Sequence, residues 1–83
     1  MQLLKFYAPW CGPCKQQGEF LKGVTGVEIK DINIEEDEDT PMMYKVRSVP
    51  MMVLLDDAGE TLREFRTLTK TEDIQQVINF YTK

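Results

Sequence analysis

Apolar positions in this chain come in short runs and helical repeats that change period along its length. Leu3 to Ala8 is mostly apolar and rich in aromatics, which predicts a strand buried on both faces in a parallel arrangement, ended by Pro9. Residues from Gly12 to about Lys22 predict a helix with Phe20 and Leu21 facing inward, weakened by Gly18 and left through Gly23 and Gly26. Val27 to Ile34 alternates as a second strand, with Val27, Ile29 and Asp31 on one face and Glu28, Lys30 and Ile32 on the other. Thr40 then offers a cap with Pro41 at the first position of a short helix that continues into Met42, Met43 and Tyr44. Met51 to Leu55 predicts a third strand, Asp56-Asp57-Ala58-Gly59 a hairpin turn, and Glu60 to Arg66 its partner, with Leu62 and Phe65 as apolar contacts. Thr69 to Glu72 has capping-box spacing, and Ile74, Val77, Ile78 and Tyr81 recur at helical intervals, giving a closing amphipathic helix. The expected order is β-α-β-α-β-β-α.

Composition adjusts this picture in a few places. With 83 residues and 42% hydrophobic content, the expectation is one small globular domain spanning residues 1–83. No long apolar run marks a leader or a membrane span, so a reducing, cytoplasmic setting is expected. A net charge of −4 argues against a basic nucleic-acid-binding surface. The run Glu35-Glu36-Asp37-Glu38-Asp39 reads either as a solvated helix start that complements the macrodipole or as a docking patch for a basic partner. Met42, Met43, Met51 and Met52 read either as core filler or as an adaptable surface for varied substrates.

The chemistry concentrates in Trp10-Cys11-Gly12-Pro13-Cys14. Two thiols separated by Gly-Pro at a helix start can close and reopen a disulfide. The thiolate is the attacking species, and an ordinary thiol is mostly protonated at neutral pH. At the N-cap of a helix beginning at Gly12 or Pro13, the Cys11 sulfur would face unpaired backbone N–H groups and the positive end of the macrodipole, both of which favour the anion. Cys11 is therefore the expected nucleophile, with a solvent-accessible sulfur, and Cys14, one turn on, the resolving thiol. Pro13 suits the first turn, where its missing N–H has no partner to lose. Two other readings compete. Half of a zinc site would need further ligands, and the chain has no third cysteine and no histidine, leaving only carboxylates. Two incidental core cysteines fit poorly with Gly-Pro between them.

With these residues in place, the chain resembles the thioredoxin family over essentially its whole length. Trp10-Cys11-Gly12-Pro13-Cys14-Lys15 matches the family's active-site motif, and Gly59-Glu60 after a two-acid turn matches its later hairpin. Val49-Pro50 before an apolar strand is similar to the family's cis-proline segment, although the residues alone read Pro50 as an ordinary trans strand-start. The resemblance implies an α/β thioredoxin-like fold, with a four-stranded mixed sheet flanked by three helices. It implies that Trp10, Val49, Pro50 and Thr67 contact substrate, while Gly12, Pro13 and Lys15 support the dithiol. Trp10 serves either as a shield and substrate contact or as an anchor for its loop.

Several departures qualify the match. Full-length thioredoxins carry a strand and helix before the central strand, and this chain starts at that strand, so a minimal, glutaredoxin-sized thioredoxin is expected. Glutaredoxins usually have Cys-Pro-Tyr-Cys and a Gly-Gly pair near the last helix; Gly-Pro and Leu68-Thr69 stand here instead. The family's proline in the first helix is replaced by Gly18-Glu19. Thioredoxins bury an aspartate before the first cysteine, near a lysine of the adjacent strand; here Lys5 and Asp31 occupy the two positions, with the charges exchanged. Either they form a reversed ion pair beneath Cys14, with Asp31 accepting a proton, or Lys5 snorkels to the rim and Asp31 ends its strand.

The resemblance implies a thiol-disulfide oxidoreductase that reduces protein disulfides without a bound cofactor and acts as a monomer. Its electrons would come from a flavin-dependent thioredoxin reductase, with a glutathione system as the second choice. The alternatives are a glutaredoxin-like reductase and a non-catalytic thioredoxin-fold subunit of a larger assembly.

Overall fold

The computed structural model describes residues 1–82. Its elements run β1 (Gln2–Tyr7), α1 (Gly12–Leu21), β2 (Glu28–Asn33), α2 (Asp39–Met43), β3 (Met51–Leu55), β4 (Thr61–Phe65) and α3 (Thr71–Tyr81), the order expected from the chain. The sheet order is β2-β1-β3-β4. β1 pairs in parallel with β2 and antiparallel with β3, and β3 pairs antiparallel with β4, so the sheet is mixed.

The two inner strands explain the apolar runs. All five residues of β3 are buried, and β1 buries Leu3, Leu4 and Phe6, because each strand has packed layers on both faces. One layer joins Leu3, Met52, Leu54 and Phe65 to Leu21 of α1 and to Ile74 and Ile78 of α3. The other joins Leu4, Phe6, Ile32, Met51, Val53 and Leu55, with Tyr44 and Val46 packed against it. The methionines divide: Met51 and Met52 are core filler, while Met42 and Met43 are exposed.

Strict alternation would send Leu62 and Phe65, three residues apart, to opposite faces of β4. The pairing instead steps from Leu54↔Arg63 to Leu55↔Thr61. Leu62 is the extra residue of a β-bulge, and the shift brings it to the same core layer as Phe65.

Two expected caps are replaced. Thr40 does not cap α2: its N–H and its hydroxyl both donate to the Asp37 carboxylate, at 3.0 and 2.6 Å. The Thr40 hydroxyl, then its backbone N–H, holds the Asp37 carboxyl below its usual value of 3.8. The N-cap position is Glu38, without a side-chain bond, and Asp37 just before it accepts the Thr40 N–H, a carboxylate being the stronger acceptor at a helix start. The capping box at α3 does not form either. Lys70 is the N-cap, without a side-chain bond, while the Thr69 hydroxyl donates to the Thr67 carbonyl and that of Thr71 to the Phe20 carbonyl at 2.6 Å.

Candidate functional site

β1 carries the chain to Ala8 and into a turn closed by the Cys11 N–H on the Ala8 carbonyl at 3.1 Å. Cys11 then adopts an extended conformation, φ −90° and ψ 105°, as the N-cap of α1, with Pro13 in the first turn. Its sulfur accepts from the Cys14 N–H at 3.1 Å, the place an oxygen takes in an ordinary cap. A disulfide joins Cys11 to Cys14, with the Cα atoms 5.3 Å apart.

One expectation is corrected here. In this disulfide form Cys11 is only 4% exposed, because it packs with Ala8 and Cys14 under Tyr7, Ile34 and Val49. The turn that sets up the cap presses the first cysteine against the end of the sheet. The residue that follows it is open to its surroundings: apart from its chain neighbours, nothing lies within 4 Å of the Cβ position of Gly12.

The two sides of the dithiol differ. On one side, a cavity of about 310 Å³ is lined by Trp10, Ile34, Pro41, Val46 and Val49, with Glu38, Arg47 and Ser48 at its polar edge. The Trp10 ring is 68% exposed, and its Nε1 donates to Glu35 at 3.0 Å, so the residue is both an open apolar surface and a tie to the loop after β2. The Val49–Pro50 bond is cis. Pro50 is buried, and Val49 packs on the cysteines. Thr67 is exposed just past β4; continuing the Met52↔Phe65 register by two residues sets it opposite Pro50.

On the other side, a cleft of about 240 Å³ is lined by Lys5, Tyr7, Ala8, Pro9, Cys14, Lys15 and Asp31. Lys5 pairs with Asp31 in the parallel register, and its Nζ stands 3.9 Å from the Asp31 carboxylate and 5.4 Å from the centre of the Tyr7 ring. The Lys5 side chain is 12% exposed, whereas that of Asp31 is 61% exposed, because β2 is an edge strand and leaves its outer residues open. Asp31 is thus at the rim of the cleft, not buried with the apolar residues of its strand. Gly18 explains itself at this point: a Cβ there would come within 3.0 Å of the Lys5 Nζ. The residue that weakens the helix makes room for the ammonium group.

Sequence reasoning missed Gln17. It is completely buried on the face of α1 that also carries Cys14 and Leu21, and its amide pairs with the backbone of Thr69. Its helical spacing from Cys14 was a usable signal; its polarity hid it. Among the described residues, no group of three or more His, Cys, Asp or Glu is arranged to hold a metal ion, and no helix is long and apolar enough to cross a membrane.

The family model described as Thioredoxin matches residues 1–80. A thioredoxin from Mycoplasma pneumoniae is 35% identical over 79 residues, covering 90% of this chain and 78% of its own length. One from Haemophilus influenzae is 33% identical over 75 residues, covering 84% of this chain and 70% of the relative. Among solved structures, a mutant thioredoxin from Halobacterium salinarum superposes with a TM-score of 0.86 at 34% identity, covering 98% of this chain and 74% of that one. Thioredoxin 1 from Thermosipho africanus, at 21% identity and a TM-score of 0.82, shares the fold and covers 99% of this chain and 94% of its own. Sequence, architecture and the paired cysteines agree: the chain belongs to the thioredoxin family and is a thiol-disulfide oxidoreductase of the protein-disulfide reductase type.

Proposed function

We propose that residues 1–83 act as one domain that reduces protein disulfides, with Cys11 as the attacking thiol and Cys14 as the resolving one. The observation that carries the reading is the Cys11 sulfur seated as N-cap of α1, accepting from the Cys14 N–H. In the reduced protein the same N–H and the helix terminus favour the Cys11 thiolate over the thiol. That thiolate attacks one sulfur of a substrate disulfide: a mixed disulfide forms, and the other substrate sulfur leaves as a thiolate and takes up a proton. Cys14 then gives up its proton and attacks the Cys11 sulfur, forming the Cys11–Cys14 disulfide and releasing the second substrate thiolate. The substrate gains two electrons, and the protein loses two.

Trp10 and Val49, which line the cavity, together with the neighbouring Pro50 and Thr67, are the walls along which an extended substrate segment lies, and Gly12 and Pro13 shape the approach to Cys11. Lys15, Lys5 and Asp31 serve Cys14: the Lys5 ammonium favours its thiolate, and Asp31, through a water in the cleft, accepts its proton. No bound cofactor enters the cycle, since the cysteines themselves carry the electron pair. A flavin-dependent thioredoxin reductase resupplies it. The working unit is the monomer, because one chain supplies both thiols and every wall. The cytoplasm is the fitting compartment, where a reducing pool keeps the dithiol open.

Insulin reduction, run once with NADPH and thioredoxin reductase and once with glutathione and its reductase, tests the reading. Turnover is expected with the first donor. Failure with both, or a biological role kept by the Cys11→Ser, Cys14→Ser double variant, would show a non-catalytic subunit instead.

A further inference from the structure

We infer that Gln17 is a positioning residue for protein substrates: it fastens the loop between β4 and α3, one wall of the groove, to the helix that carries both cysteines. The inference rests on the reductase reading above. A helix face shared with Cys14 and Leu21 would ordinarily carry an apolar residue, yet Gln17 has 0% exposure there. Burying an amide is unfavourable unless its hydrogen-bonding groups are matched. Here both ends are used: Nε2 donates to the Thr69 carbonyl at 2.8 Å, and Oε1 accepts from the Thr69 N–H at 2.9 Å. This is the donor and acceptor pair that one strand offers another. Rotating the amide by a half turn would set its NH₂ against an N–H and its oxygen against a carbonyl, so only one orientation fits.

The position of Thr69 gives the clamp its consequence. β4 ends at Phe65 and α3 begins at Thr71, whose hydroxyl holds the start of α3 to the Phe20 carbonyl; within the loop itself the Gln17 amide supplies the bonds to α1. The Met52↔Phe65 pairing, continued outward, sets Met51 beside Arg66, whose Nη1 lies 3.8 Å from the Met51 sulfur, and Pro50 beside Thr67. Pro50 adjoins Val49, which packs on Cys11 and Cys14, so Thr67 stands at the dithiol end of the sheet. The Thr69 hydroxyl donates to the Thr67 carbonyl at 2.9 Å. Gln17, Thr69 and Thr67 therefore form a continuous chain of bonds from the cysteine helix to the groove wall. An extended protein segment lying along Val49 and Pro50 meets that wall; a small disulfide that reaches only Cys11 does not.

Gln17→Met keeps the volume and removes both bonds, and Thr69, only partly buried, can turn to water. With reduced full-length protein, three readouts are compared with wild type: insulin reduction kinetics, the rate with dithiobis(nitrobenzoate), and Cys11 alkylation by iodoacetamide. The expected result is a KM for insulin raised about tenfold, as for the loss of a positioning contact, with kcat, the small-disulfide rate and alkylation within about twofold. Equal losses on both disulfides, a loss in kcat at unchanged KM, or no change on either overturns the inference. Should the methionine variant not fold, Thr69→Ala, which at a partly buried position cuts the hydroxyl bond to the Thr67 carbonyl, is read by the same criteria. Wild-type turnover of insulin tests the reductase reading separately, since the clamp is judged only by the ratio of variant to wild type.

Discussion

The two flanks of the disulfide are built from different material. Toward Trp10 and Val49 the surroundings are mostly apolar, with polar groups only at the edge. Toward Lys5 and Asp31 they are charged, set between α1 and the edge strand. Two cysteines three residues apart thus receive different environments, because Cys11 precedes the first turn as N-cap, packed beside Val49, while Cys14 lies within the helix and lines the cleft with Lys5. An apolar approach suits capture of a substrate segment, which gains by excluding water. A cationic cleft suits a thiol that must lose its proton at the right step.

The sharpest way to break this contrast is to remove the thiols one at a time. Cys11→Ser is expected to lower protein-disulfide turnover on the order of 1,000-fold or more, whereas Cys14→Ser should still attack once and accumulate a mixed disulfide. Mass spectrometry of each variant after mixing with an oxidised protein checks this, and a mixed disulfide held at Cys14 in place of Cys11 would reverse the two roles. Next in size is Lys5→Met, which removes the charge from the Cys14 flank alone. Resolution of the mixed disulfide should slow about tenfold at neutral pH, from the loss of one nearby positive charge, while Cys11 alkylation stays within about twofold. Equal slowing of both steps would mean that the flanks are not separate.

Gly18→Ala is a finer probe. The added methyl group gains helix propensity, about 1 kcal/mol in an open interior, and meets only the tip of the flexible Lys5 side chain at 3.0 Å. Thermal stability should stay the same or rise by up to about 1 kcal/mol, while the displaced ammonium slows resolution roughly two- to threefold. A clear fall in melting temperature would show that Lys5 cannot move. The smallest effect belongs to Asp37, away from both flanks. Its carboxyl sits below the usual 3.8 when folded, so its contribution is present at neutral pH and lost as pH falls through that lowered value. Asp37→Asn should flatten the acid limb of the stability curve, and denaturation series on both proteins should converge at the acid end.

How far the chain could be read in advance follows from how local each signal is. The order of elements was legible because the apolar runs of β1 and β3 and the repeat in α3 report their own burial. The cysteines were legible because their spacing, the Pro-Gly chemistry and the absence of histidine leave few alternatives. The caps were misassigned where another acceptor lies within a few residues: Asp37 takes the Thr40 N–H and hydroxyl, and the Thr67 carbonyl takes the Thr69 hydroxyl. Leu62 was legible as apolar, but its face depends on a bulge that only the pairing of β3 with β4 creates.

What the chain determined by itself is what rests on neighbours in sequence: periodicity, turn chemistry and the thiol spacing within one helical turn. Tertiary structure decided which distant groups meet: Gln17 with Thr69, Gly18 with Lys5, Trp10 with Glu35. The reason is physical. Backbone preferences act over a few residues, whereas the partner of a buried amide or ammonium is chosen by whichever group packing brings within hydrogen-bond reach, and that depends on the whole sheet.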